Sequence, residues 1–175
     1  NNNYIPFILA VILCQFIFLI IAYKIKSIYL VDSYEYLFQV ENLKEYGNWY
    51  AGDLNNQYDI NLVSKRPPFY AIFILLLKYI ANSDYIVLIV QNLLSIMNLI
   101  GLTILFKKFQ LQINIKFQLI LLLFIFFSSQ FIYSNLIMSE IIFQTALFWA
   151  FFFFVKFIKQ GSSTMIIGYN IILSI

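Results

Sequence analysis

The chain is 175 residues long, 62% hydrophobic and only 11% charged, with 20 Phe and 13 Tyr, a mixture that no soluble domain of this length keeps in solution. Its net charge of +3 is scattered, without the basic cluster that nucleic-acid binding requires, so nucleic acid is set aside as a partner. Histidine is absent and the single cysteine, Cys14, lies inside an apolar run, which excludes a Ser-His-Asp triad, a His proton shuttle, the common zinc sites and an internal disulfide from this stretch.

The chain opens Asn-Asn-Asn without an initiator methionine and stops at Ile175 inside an apolar run that begins at Thr164, so it is expected to be the amino-terminal part of a larger protein. The first span is Tyr4–Tyr23, uncharged throughout and as long as the ~20 residues a membrane helix needs. A retained helix is favoured over a signal peptide, because no basic residue precedes the run and Ala22-Tyr23-Lys24 is a poor cleavage site.

Residues 24–84 form the expected outer loop, and its segment Asp32–Pro68 is the long polar stretch of the chain. It begins Asp-Ser-Tyr-Glu-Tyr, continues as a short amphipathic helix to Gly47, crosses an Asn/Asp-rich patch at Asp53–Asn61 and ends Ser-Lys-Arg-Pro-Pro at Ser64–Pro68. Six of the eight acidic residues lie in it, so any chemistry is expected there. Pro68–Ala81 reads as a helix of about 21 Å, short of a ~30 Å hydrocarbon core, and is expected to lie along or dip into the membrane surface.

Tyr85–Phe106 is the second span and is followed by Lys107, Lys108 and Lys116. Phe117–Ser134 is the third; after a polar turn at Ser134-Asn135, Leu136–Ile158 is the fourth, closed by Lys156 and Lys159. A Gly-Ser-Ser linker at Gly161–Ser163 leads into a truncated fifth, Thr164–Ile175. The fold class is therefore an all-α polytopic membrane protein. The lysines of the short connections collect on one side if Pro68–Ala81 does not cross, and the positive-inside rule makes that side cytoplasmic and the long loop extracytoplasmic.

Three features of this frame could carry chemistry. Asp32 follows the first span at the water boundary, and with Glu35 it has the spacing of a capping box, a role compatible with orienting a reactive carboxylate. The helix it opens carries Tyr36, Leu37, Val40 and Leu43 at 3–4 spacing, with Gln39, Glu41, Asn42 and Glu45 elsewhere, the pattern of an interfacial helix. Arg66-Pro67-Pro68 has two readings: prolines that stiffen a loop exit while Lys65 and Arg66 meet lipid head groups, or a rigid backbone that fixes Arg66 as a two-point phosphate clamp. Glu140 is the only charge between Phe117 and Val155 and is expected about a turn inside the fourth span, where an unpaired carboxylate costs on the order of 2.5 kcal/mol or more.

The order of these features resembles the amino-terminal part of GT-C glycosyltransferases of the protein O-mannosyltransferase and aminoarabinose-transferase type, glycosyltransferase family 39. The shared pattern is a span, Asp-x-x-x-Tyr on an amphipathic helix ending in Gly, a basic residue with Pro-Pro heading a juxtamembrane helix, and a later span with an acidic residue near its outer start. It covers nearly all of Tyr4–Lys159. Two positions depart from it: Ser33 stands where many members carry a second acidic residue, and Ser64-Lys65 where some carry one proposed to help hold a divalent metal. The resemblance thus leaves a divalent metal open and implies no other cofactor.

The resemblance implies a GT-C-like bundle in the plasma (inner) membrane, moving a sugar from a polyprenyl-phosphate donor to an acceptor hydroxyl on a protein, lipid or glycan. Asp32 would be the base, Arg66 and Lys65 would meet the donor phosphate beside Glu35 and Tyr36, and Glu140 would position the acceptor or support Asp32. The competing readings are a transporter or flippase of lipid-linked sugars, in which Glu140 serves a substrate pathway, and a non-catalytic membrane subunit. The chain lacks the internal repeats and broken spans frequent in transporters, and a purely structural subunit has no need of Glu140.

Overall fold

A computed structural model describes residues 4–63, 65–108 and 130–160. Their regular elements are all helical: α1 (Tyr4–Ile25), α2 (Val31–Tyr46), a 3-10 turn (Ile60–Leu62), α3 (Pro68–Ile80), α4 (Tyr85–Lys108), α5 (Gln130–Tyr133) and α6 (Glu140–Gln160). Three of them contain segments long and apolar enough to cross a membrane: Ile5–Ile25, Tyr85–Leu105 and Glu140–Phe157. The third expected span falls mostly outside the described residues, as do Lys116, the Gly161–Ser163 linker and the Thr164–Ile175 run.

Helix α4 is the axis of the bundle, packing against α1, α3, α5 and α6. It can do so because its apolar surface is interrupted on one side by a polar stripe, Gln91, Asn92, Ser95 and Asn98, all buried. In hydrocarbon such groups must find partners within the protein. Gln15 of α1 donates to Ser95 Oγ and accepts from Ser134 Oγ at 3.0 Å, while Asn98 donates to Thr145 Oγ1 of α6 at 2.9 Å. Farther along, Gly101 lets the α4 backbone lie against Phe148 of α6, since a Cβ there would come within 2.6 Å of the ring.

The loop side has its own core. Ala22, Ile28, Tyr36, Val40, Tyr70, Ala71, Ile74, Val87, Leu88 and Ile137 pack together, joining the end of α1, helices α2 and α3, the start of α4 and the segment before α6. Two interactions tie this layer to the spans: Tyr29 donates to Asp84 Oδ2 at 2.7 Å, and Lys78 pairs with Asp84 Oδ1 at 2.8 Å. Burial and the bond to Asp84 both hold the Tyr29 phenol well above its usual pKa.

Two expectations are corrected here. Helix α2 does end at Gly47 in a left-handed C-cap (φ 66°), yet its inward face is not the apolar stripe read from spacing. Gln39 and Asn42, read as lying off the apolar stripe, are buried together with Ser33, Tyr36 and Val40. The reason is the following loop, which turns back over the helix so that Asn42 Nδ2 donates to the carbonyls of Tyr50 (2.7 Å) and Gly52 (2.8 Å). The fourth span, expected from Leu136, starts only at Glu140. Ser134 Oγ and Asn135 Nδ2 both turn back to the Phe131 carbonyl, an alternative to helical bonding that keeps residues 134–139 irregular.

Candidate functional site at the loop face of the bundle

Asp32, Glu35 and Tyr36 fall three and four residues apart on α2 and therefore share a face. The cap of this helix is not the one read from the sequence. Leu30 is the N-cap residue, and Ser33 Oγ reaches back to accept its N–H at 2.8 Å. Asp32, expected as the capping side chain, is one residue inside the helix, and its carboxylate turns to Arg66 instead.

Arg66 is delivered by the segment before α3, where Pro67 is the N-cap and Pro68 the first helical residue, a position that suits proline because its missing N–H would have no helical partner. Gln39 Nε2 fixes this backbone by donating to the Arg66 carbonyl at 3.1 Å. The guanidinium then lies across α2. Its Nε donates to Glu35 Oε2 at 2.7 Å, its Nη2 pairs with Asp32 Oδ1, and its Cζ is 5.3 Å from the centre of the Tyr36 ring. Lys65 Nζ completes the group at 2.7 Å from Glu35 Oε1.

Five of the six sequence-predicted residues thus meet in one cluster, graded in exposure: the Glu35 and Arg66 side chains are 16% and 19% exposed, those of Asp32 and Lys65 41% and 42%. Partial burial pushes the Glu35 carboxyl up, but the hydrogen bonds and positive charges of Lys65 and Arg66 outweigh it and hold the group below its usual range. For Arg66, burial acts downward and the Glu35 bond outweighs it, so the guanidinium is held more firmly charged.

Glu140, the sixth, opens α6 rather than lying a turn inside it, and a helix N-terminus favours a carboxylate. It adjoins the cluster through its neighbour: Ser139 Oγ and the Tyr36 hydroxyl share a hydrogen bond of 2.9 Å. The Tyr36 ring also packs edge-on against Tyr70, with centroids 4.7 Å apart, and Tyr70 accepts from Gln91 Nε2 at 3.2 Å. Burial, Tyr36 and the charge of Glu140 raise the Tyr70 pKa against the opposing bond from Gln91. Glu140 Oε2 is buried and has no hydrogen-bond partner among the described residues.

The donor set does not suit a divalent cation. Both oxygens of Glu35 and Oδ1 of Asp32 are already engaged by cationic side chains, and among the described residues no three Asp, Glu, Cys or His side chains converge. What the cluster can do is present a half-exposed carboxylate and two cations at the loop end of the helical bundle. Ser139, Tyr70, Gln39 and Gln91 are the parts that sequence reasoning missed. A usable signal existed for Gln91: polar residues at 91, 95 and 98 recur at helical spacing inside an apolar span, marking an inward face. Ser139 carried none.

Compared with known protein families, curated proteins and solved structures, the chain matches none.

Proposed function

We propose that the chain belongs to a membrane glycosyltransferase that moves a sugar from a polyprenyl-phosphate donor to an acceptor hydroxyl on the extracytoplasmic side of the plasma (inner) membrane. The observation that carries the reading is the sharing of Arg66 between Glu35, which is mostly buried, and Asp32, which is the more exposed partner. A donor phosphate arriving from the membrane competes with Asp32 for the guanidinium while Glu35 and the Tyr36 ring keep Arg66 in position. Displaced from Arg66, the Asp32 carboxylate is free to take up a proton from the acceptor.

The acceptor oxygen then bonds to the anomeric carbon as the bond from that carbon to the phosphate oxygen breaks. The hydroxyl proton passes to Asp32, and the polyprenyl phosphate leaves with its charge met by Arg66 and Lys65. Glu140, with its unpartnered oxygen, holds the acceptor next to Tyr36 and Ser139. No metal enters this scheme.

The test is Asp32→Asn in full-length protein in membranes, assayed for sugar release from the donor into an acceptor fraction. Because Ser33 and not Asp32 caps α2, the substitution removes one partly exposed ion pair, worth about 1 kcal/mol or less, and the protein is expected to stay folded. Transfer is expected to fall by about 10²–10⁴-fold while donor binding persists. Activity within a few-fold of the native protein would remove Asp32 as the base.

A further inference from the structure

A groove of about 740 Å³ lies where the second half of α2 meets the end of α3. Val40, Leu75, Leu76 and Tyr79 form its apolar wall, and Glu41, Lys44, Glu45 and Lys78 its charged rim. We propose that this groove holds the headgroup and first acyl carbons of a zwitterionic phospholipid bearing a primary amine, of the phosphatidylethanolamine class.

Position and charge carry the proposal. Tyr79 is 93% exposed and Ile80 76%, large apolar groups at the end of a helix that leads into α4. The membrane boundary is marked by Tyr23 at the end of α1 and Tyr85 at the start of α4, whose rings lie 5.1 Å apart in the arrangement of an interfacial aromatic belt. Lys78, Tyr79 and Asn82 precede Tyr85 by only a few residues, which puts the groove at headgroup level.

Its rim carries two carboxylates and two ammoniums. An anionic lipid, the polyprenyl-phosphate donor included, would meet Glu41 and Glu45 along with the lysines. A zwitterion satisfies both signs, its phosphate toward Lys44 and its amine toward Glu41 and Glu45. Among the described residues no ion pair uses Glu41, Lys44 or Glu45, whereas Lys78 is held by Asp84. Glu41 and Glu45, four apart on one helix, repel each other, which a bound ammonium would relieve. A primary ammonium donates up to three hydrogen bonds to carboxylates and a quaternary one donates none, so ethanolamine is favoured over choline.

The inference is independent of the transferase reading. The full chain is reconstituted in bilayers of equal parts phosphatidylethanolamine, phosphatidylcholine and phosphatidylglycerol, extracted gently, and its retained lipids are counted by native mass spectrometry. Phosphatidylethanolamine is expected to be retained about fivefold over each of the others, the upper end for one exposed charge contact. In Glu41→Gln/Glu45→Gln the advantage over phosphatidylcholine is expected to vanish. Lys44→Gln should lower retention of both zwitterions alike. Equal retention of the two zwitterions by the native protein, preference for the anionic lipid, or an unchanged preference in the double variant overturns the proposal. The first two outcomes require no variant.

Discussion

Arg66 satisfies two carboxylates with one planar fork, and lysine cannot reproduce that geometry although it carries the same charge. Arg66→Lys is therefore expected to lower donor use by about tenfold or more, one bidentate contact being worth more than 1.4 kcal/mol, with insertion and folding retained. Unchanged apparent affinity for lipid-linked sugar in Arg66→Ala membranes would take Arg66 out of the phosphate site. Glu35 gives the same cluster a pH dependence. Its carboxyl titrates lower in the folded chain, so the stability it contributes is complete above the unfolded value of about 4.3 and is lost as pH falls through the folded value. Thermal midpoints taken from pH 6 down to 3 are expected to fall more steeply for the native protein than for Glu35→Gln. Parallel curves would mean that the pairs with Lys65 and Arg66 contribute nothing.

The elements show which parts of the structure could be read from the chain. Spans made of uninterrupted apolar residues were legible: α1 and α4 begin where the hydropathy rises and run two residues beyond the expected ends. The polar cluster was legible as a residue set, because most of the carboxylates are confined to one loop of an apolar chain that also holds Lys65 and Arg66. The start of α6 was not. Leu136–Ser139 is apolar enough to extend a span, and tertiary bonds add to the local ones of Ser134 and Asn135 in stopping it: the Ile137 N–H donates to Ile28 O at 3.0 Å, and Gln91 Nε2 donates to Met138 O at 2.7 Å. The cap of α2 was illegible for a similar reason, since Asp32 and Ser33 are both good capping side chains and Arg66, distant in sequence, claims one of them. Asn92 tests the idea that α4 holds this turn, because it donates to Ser134 O and Asn135 Oδ1, both at 3.0 Å. Asn92→Leu is expected to cost about 1–3 kcal/mol and to depress transfer by displacing Ser139 and Glu140. Asn98→Leu, which among the described residues loses the bond to Thr145, is expected to cost less than about 2 kcal/mol and to leave transfer near normal. Equal effects of the two on activity would mean that the turn is not held from α4.

Across the whole molecule, sidedness turns on where the helices begin and end. Tyr23 near the end of α1 touches Tyr85 at the start of α4, so the intervening chain leaves and re-enters at one level, and α3, at 13 residues or about 20 Å, has no need to cross. Helix α6 starts on the side of the bundle that carries the loop layer, because Ser139 bonds Tyr36 of α2. Helices α4 and α6 consequently both run away from the ion-pair cluster, carrying Lys107 and Lys108 on one and Lys156 and Lys159 on the other toward the opposite face. On the proposed function, the positive-inside rule would make that face cytoplasmic and turn Asp32, Glu35, Lys65 and Arg66 outward, with Lys24, Lys26 and Lys44 on the outer side as well. With Cys14 replaced by Ala, cysteines introduced singly at Asn55, in the exposed loop, and at Gly161, just beyond α6, are expected to react from opposite sides of the membrane. Asn55→Cys should label in intact cells and Gly161→Cys only after permeabilisation. Labelling of both from outside would put the lysine-bearing ends of α4 and α6 on the same side as Arg66. The bundle would then have no cytoplasmic face at those ends, and an extracytoplasmic active site would lose its topological basis.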